Sequence, residues 1–216
     1  MIQNNFKHNK DLFSKKGYFV VRNLIKKNII KKLLVEIYKA KNTDRYSDSK
    51  GNLRRIERLY DNGKTLNDLN LKILSVLKKV FSEKFVIFKD KFNAKPPGGD
   101  GFYAHFDGVF KFTNQKNKKK NGWYEYTDFF VNVLVALDEC NKRNGSIEIS
   151  NFHKGSFKEL LKKTKMDGTP ALNGKTLKKI KFNLINLKEG DMVFFSNRCP
   201  HQSKRNNTNE SRRILY

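Results

Sequence analysis

The spacing of apolar residues changes character once along this chain, near residue 83, and that change limits what it can fold into. In residues 26–39, Ile29, Ile30, Leu33, Leu34, Ile37 and Tyr38 recur at helical intervals, which gives one apolar face and a lysine-covered outer face. Leu69, Ile73, Val76, Leu77 and Val80 mark a second amphipathic helix, and residues 18–21, after Gly17, read as a short strand. Residues 41–67 are polar and read mostly as loop, with a basic cluster at Arg54, Arg55 and Arg58. Beyond residue 83 the pattern alternates, with strand candidates at 85–92, 102–107, 129–137, 146–150, 180–184, 192–195 and 213–216. Short strands in series, separated by Pro96-Pro97-Gly98-Gly99, the lysine-rich loop 116–120, Asn144-Gly145 and Glu189-Gly190-Asp191, predict an antiparallel sandwich or barrel. In the third candidate, Phe129, Val131, Val133, Val135 and Leu137 form an apolar face, while Phe130, Asn132, Leu134 and Ala136 point the other way and could line a pocket. The expectation is one domain over residues 1–216: an N-terminal helical layer, 1–83, packed on a β core, 84–216.

Composition narrows the class without choosing a function. Hydrophobic content of 38% with 12% aromatics is enough for a folded core and too much for a disordered tail. The formal charge is +25, from 46 Lys and Arg against 21 Asp and Glu, which favours anionic partners. The lysines are scattered through every segment beside many Asn and Ile, and no clean basic stripe stands out, so nucleic-acid binding is not the expected role. The two cysteines, Cys140 and Cys199, fit neither a disulfide framework nor a zinc spacing, which points to a reducing compartment, the cytoplasm. The first ten residues are polar, and no apolar run is long enough to span a bilayer, so no membrane association is expected.

Of the four histidines, two sit where strand geometry would make them useful. His105 and Asp107 alternate on a strand candidate, so their side chains emerge on one face within reach of a single ion; His201 follows a later strand. Two imidazoles and a carboxylate on one face of an octahedral ion, with three positions open, is the arrangement of non-haem iron(II) oxygenases. Alone, the pair is a weak motif: His105 hydrogen-bonding a loop, Asp107 opening the turn at Gly108, and His201 exposed after Pro200 would explain the same residues. The spacing that follows adds weight. Ser203 lies two residues after His201 and Arg212 eleven, next to Arg213. An arginine there can hold a distal carboxylate through paired charge-assisted hydrogen bonds that a lysine would not reproduce, and a dicarboxylate such as 2-oxoglutarate suits it.

Four segments carry a resemblance to a known family: LFSKKGYFVVRNLIKKNIIKKL; FKDKFNAKPPGGDGFYAHFDG; VNVLVALDECNKRNGSIEISNFHKGSF; and LKEGDMVFFSNRCPHQSKRNNTNESRRILY. Together they resemble the phytanoyl-CoA dioxygenase family of iron(II)- and 2-oxoglutarate-dependent oxygenases, above all its small-molecule and phosphonate-hydroxylating branches, over almost the whole chain. The resemblance implies a double-stranded β-helix, jelly-roll core. It implies iron(II) on His105, Asp107 and His201, and the far carboxylate of the 2-oxoglutarate co-substrate on Arg212 and Ser203, with Arg213 facing outward. Trp123 falls where the family often places an aromatic beside the co-substrate, and Lys91 or Asn132 are candidate donors to it. His153 falls in a His-Lys-Gly loop rather than at the metal, Asp191 in a structural Gly-Asp turn, and His8 outside every motif.

The retained carboxylate of Asp107 implies hydroxylation rather than halogenation, with dioxygen consumed and succinate and carbon dioxide released. Desaturation, cyclisation and demethylation stay open, as does the substrate, for which Tyr103, Phe110, Trp123, Lys154 and Arg198 are candidate rim residues favouring a small polar or anionic metabolite. The chain ends four residues after Arg212, where the family usually continues. That would leave the last strand at a barrel edge, where it could pair with a second subunit, so monomer and homodimer are both carried forward. The alternatives are an inactive oxygenase-fold protein with a basic nucleic-acid-binding surface, or a hydroxylase acting on a macromolecule.

Overall fold

A computed structural model describes residues 5–127, 129–151, 155–165 and 171–216 of the chain. Its order of elements opens with α1 (Phe6–Lys16), β1 (Tyr18–Val21), α2 (Lys27–Lys39), β2 (Asp44–Ser47), β3 (Leu53–Glu57) and α3 (Lys64–Phe81). Then come β4 (Lys91–Lys95), β5 (Phe102–His105), β6 (Val109–Thr113), β7 (Lys119–Gly122), a 3-10 turn (Trp123–Glu125) and β8 (Val131–Ala136). The remainder is β9 (Ile147–Ile149), α4 (Phe157–Lys163), α5 (Gly174–Leu177), β10 (Asn183–Leu184), β11 (Met192–Ser196), β12 (His201–Ser203) and β13 (Arg212–Leu215).

These strands form a seven-stranded sheet in the order β1-β11-β8-β13-β4-β3-β2 and a four-stranded sheet in the order β10-β9-β12-β5, with β6 and β7 as a separate hairpin. The pairings within both sheets are antiparallel, which gives the expected two-sheet jelly roll. Alternation along β8 divides its contacts between two faces, although the face of Leu134 and Ala136, read as one that could line a pocket, packs in a core instead. Val131, Val133, Val135 and Leu137 join the core beneath the helices, where Leu33 and Ile37 of α2 and Val76, Leu77 and Val80 of α3 are buried. Leu134 and Ala136 face the smaller sheet beside Ile147, Ile149, Val193 and Phe195. Each large aliphatic side chain removed from water there contributes roughly 1.5–3 kcal/mol.

The helical layer is tied down by specific contacts as well as apolar area. Gly17 ends α1 at φ 83, a left-handed conformation that costs glycine little, and turns the chain directly into β1. The Glu36 carboxylate of α2 accepts hydrogen bonds from the backbone N–H groups of Thr65 and Leu66, at 3.0 and 2.9 Å, supplying the N-terminal cap that α3 lacks in its own sequence.

Several expectations are corrected. Residues 41–67, read mostly as loop, also carry β2 and β3, which extend the larger sheet, so β1, β2 and β3 all come from the stretch read as the helical layer. Residues 85–90 are irregular and the strand begins only at Lys91, because Val86 and Phe88 project outward, 87% and 64% exposed. Part of the lysine-rich loop is the strand β7, and His201, which follows β11 as expected, itself opens the further strand β12. The last strand is no edge: β13 sits between β8 and β4, so this strand does not offer an edge for pairing with a second subunit. Among the described residues, no helix is long and apolar enough to cross a membrane.

Candidate metal centre and its cavity

Sheet register builds the centre. His105 at the end of β5 is the cross-strand partner of His201 at the start of β12, so the two imidazoles meet with ring centroids 4.3 Å apart. Asp107 follows two residues after His105 and reaches between them, with carboxylate oxygens 3.6 Å from His105 Nε2 and 3.5 Å from His201 Nε2. One ligand atom from each residue fits within a 4.8 Å cluster, small enough to surround one ion.

The ring nitrogens are already sorted for that task. His105 Nδ1 lies 2.7 Å from the Tyr103 carbonyl oxygen, and His201 Nδ1 lies 3.1 Å from that of Cys199. A carbonyl can only accept, so both Nδ1 atoms carry the proton and both Nε2 lone pairs face the cluster. Burial pushes the His201 imidazole down to about 4 against the pull of Asp107, so it is neutral near pH 7, as a ligand must be. For Asp107, burial alone would raise the carboxyl, but the neighbouring His201 and His105 and the Lys91 charge together hold it well below the usual carboxylate range.

The cluster forms one part of a cavity of about 380 Å³ that Arg212, Ser203, Trp123 and Lys91 also line. Arg212, on β13, is 2% exposed; its Nε has no hydrogen-bond partner, and among the described residues no carboxylate pairs with it. Its neighbour Arg213 points to the opposite face, where Nε and Nη2 donate to Asp138 at 2.8 and 2.6 Å. The adjacent arginines are thus divided as expected, one inward and one outward. The connection from His201 to Arg212 is held by the fully buried Asn206, whose Nδ2 donates to the carbonyls of Lys95, Pro96 and Glu210.

The other expected site residues divide. Lys91 opens β4 with its ammonium 4.7 Å from the Tyr216 ring centroid, and burial lowers its pKa while Asp107 opposes that shift. Trp123 packs edge-on against Phe88. Asn132 is not among the lining residues, although its Nδ2 is buried without a partner. Tyr103 lines the cavity, whereas Arg198 does not: it stacks on Phe157 and donates to the Gly155 carbonyl. The Phe110 side chain, His153 and Lys154 lie outside the described residues. Asp191 caps its turn, accepting from the backbone of Asn23 and Lys188 and from Arg22.

Sequence reading missed Asn93, whose buried Oδ1 lacks a partner, and Arg55, Glu57 and Lys89, all of which line the cavity. Alternation could have found Asn93, since Lys91, Asn93 and Lys95 must share one face of β4. Arg55 and Glu57 become visible only once β3 is paired with β4.

The chain belongs to the phytanoyl-CoA dioxygenase (PhyH) family, whose model matches residues 13–214. It is 28% identical over 144 residues to a 2-aminoethylphosphonate dioxygenase of an uncultured bacterium (HF130_AEPn_1), covering 67% of this chain and 49% of that protein. It is 27% identical over 138 residues to a methylphosphonate hydroxylase of Gimesia maris, covering 63% and 46%. The chain therefore spans about half the length of the curated relatives it matches. In fold it is similar to the crystal structure of the non-heme alpha ketoglutarate dependent carbocyclase SnoK from nogalamycin biosynthesis, with a TM-score of 0.74 at 12% identity over 99% of this chain and 83% of that one.

Proposed function

We propose that this chain is an iron(II)- and 2-oxoglutarate-dependent dioxygenase that hydroxylates a small, anionic metabolite. The observation that carries the reading is Arg212, a buried guanidinium without a carboxylate partner among the described residues, in the same cavity as a His-Asp-His cluster. A buried unpaired cation is costly, and a ligand carboxylate is the group that relieves it. The donor set fits iron(II): two imidazoles and one carboxylate.

In this reading His105, Asp107 and His201 hold the metal, and Arg212 with Ser203 holds the far carboxylate of 2-oxoglutarate. Bound there, the pair would supply oxidative decarboxylation to succinate and carbon dioxide, coupled to insertion of one oxygen atom of dioxygen into a substrate C–H bond. Lys91 is the candidate donor to the 2-oxo acid end: it lines the same cavity, and its charge acts on Asp107. Trp123 lines the same cavity. Glu57 bridges Arg55 and Lys89 at 3.3 and 2.9 Å, so the lining keeps an excess of positive charge after that pairing, which favours an anionic substrate. The names of the two phosphonate-oxidising relatives agree with that charge.

The test is succinate formation from 2-oxoglutarate with iron(II) and air, across a panel of small phosphonates, carboxylates and neutral metabolites. Turnover stimulated by an anionic member and lost in Asp107→Ala is expected. Turnover indifferent to Asp107, or no succinate with any member, defeats the reading.

A further inference from the structure

Lys95 is 1% exposed, yet it does not line the cavity. Its ammonium donates to the Gly145 carbonyl at 3.1 Å, to the Ser203 hydroxyl at 2.9 Å and to the Lys204 carbonyl, which uses all three of its protons. Lys95 is also the cross-strand partner of Arg212, so the two cations stand side by side in the larger sheet. Among the described residues neither has a carboxylate within ion-pair distance. Such an arrangement is poor for stability alone, since hydrophobic residues of similar size would avoid the desolvation of two charges.

The consequence falls on Ser203. Its hydroxyl oxygen accepts from Lys95 Nζ at 2.9 Å and from the Phe102 backbone N–H at 3.3 Å. A hydroxyl has two acceptor positions and one proton, so with both positions filled it can only donate, and Ser203 lines the cavity. The surroundings hold this geometry closely. Gly145 has φ +70, and a Cβ there would stand 2.1 Å from the Lys204 carbonyl oxygen and 2.9 Å from Lys95 Nζ. The Asn144-Gly145 turn is therefore built to let the ammonium in.

We propose that Lys95 is the positioning residue that makes the co-substrate end wall selective for a carboxylate, by fixing Ser203 as a donor and adding a second buried positive charge behind Arg212. The inference rests on the functional reading above and deepens it: Arg212 alone would bind an anion, whereas Lys95 sets how strongly a 2-oxo acid with a distal carboxylate is preferred over one without. Lys95 touches neither metal nor co-substrate and acts through Ser203 and through its field. Burial, with Arg212 and Arg54 nearby, pushes its ammonium down to about 7, which an incoming carboxylate would reverse.

The experiment compares 2-oxoglutarate with 2-oxovalerate, which keeps the metal-chelating end and replaces the far carboxylate by a methyl group. Affinities are measured anaerobically by calorimetry on iron(II)-loaded wild type, Lys95→Met and Ser203→Ala. Lys95→Met is expected to weaken 2-oxoglutarate by about tenfold or more while leaving 2-oxovalerate and iron(II) binding unchanged. Adding Lys95→Met to Ser203→Ala should cost less than the two separate losses combined, because part of the lysine's effect passes through the hydroxyl. Should Lys95→Met fail to fold, Lys95→Gln, which keeps a donor without the charge, carries the same comparison. An unchanged preference, or an equal loss for both acids, overturns the role of Lys95 and leaves the functional reading intact. A wild type that binds neither acid overturns both.

Discussion

Replacing Arg212 by methionine should move two measured quantities in opposite directions. The guanidinium is 2% exposed, its Nε has no hydrogen-bond partner among the described residues, and Lys95 stands next to it, so the co-substrate-free protein carries a buried charge that no carboxylate of the described residues pairs. Exchanging buried ionic groups for apolar ones of similar volume is often stabilising, and a gain of about 1 kcal/mol would raise Tm by about 2–4 °C for a chain of this size. The same substitution removes the partner of a buried ligand carboxylate, a loss of about 2–5 kcal/mol, so 2-oxoglutarate should bind about 30-fold to a few thousand-fold more weakly. Arg212→Lys, which keeps the charge but not the planar fork, should fall between the two. Calorimetric titration with 2-oxoglutarate and thermal unfolding of the ligand-free protein read both effects. If Arg212→Met melts lower and binds 2-oxoglutarate as tightly as wild type, the guanidinium is a structural group and the argument is wrong.

Arg213→Ala supplies the contrast, since the Asp138 carboxylate would lose its two side-chain donors and keep only the Arg213 backbone N–H at 2.7 Å. Urea unfolding should show a loss at the low end of about 1.5–3 kcal/mol, because the pair is partly exposed, with 2-oxoglutarate affinity unchanged; reduced affinity would mean that the inward and outward arginines are wrongly assigned. Lys95 gives a pH dependence. Its value falls from 10.5 to about 7 on folding, so between those values the unfolded chain holds the extra proton. Stability of the ligand-free protein should then rise with pH across that window, by up to about 1.4 kcal/mol per pH unit, with the penalty fully present below it. Urea unfolding at pH 7 and pH 9 should show this rise in wild type and a flatter response in Lys95→Met; equal slopes would remove Lys95 as the cause.

The parts of the fold legible in the sequence were those with a clear apolar pattern. The helices α2 and α3 have one apolar face and one wet face, and β8 and β11 are near-continuous apolar runs that are partly or wholly buried. The strands β2 and β3 lack such a pattern for a physical reason. Three of the four residues of β2 are exposed, and β3 buries only Ile56 fully while Arg55 and Glu57 face a polar cavity, so no apolar alternation marks either strand. Residues 85–90 misled in the other direction, because Val86 and Phe88 supply strand-like composition while pointing to solvent. At the site, His105 and Asp107 were legible from their two-residue spacing, and Ser203 and Arg212 from their distances to His201. Lys95 was not: among 46 basic residues a lysine reads as surface, and only the β4–β13 register shows it buried beside Arg212. The same limit hid Asn93 and Arg55, whose places depend on the pairing of β3, β4 and β13.

The most direct test of the account is an anaerobic titration of the metal-free protein with iron(II) and then 2-oxoglutarate, followed by the weak visible charge-transfer band of a chelated 2-oxo acid. The account predicts a band that saturates at one iron and one 2-oxoglutarate per chain, is lost in His105→Ala and in His201→Ala, and is unchanged in His8→Ala, whose ring lies on the exposed side of α1. No band in wild type, or a band that survives both substitutions in the cluster, would contradict it.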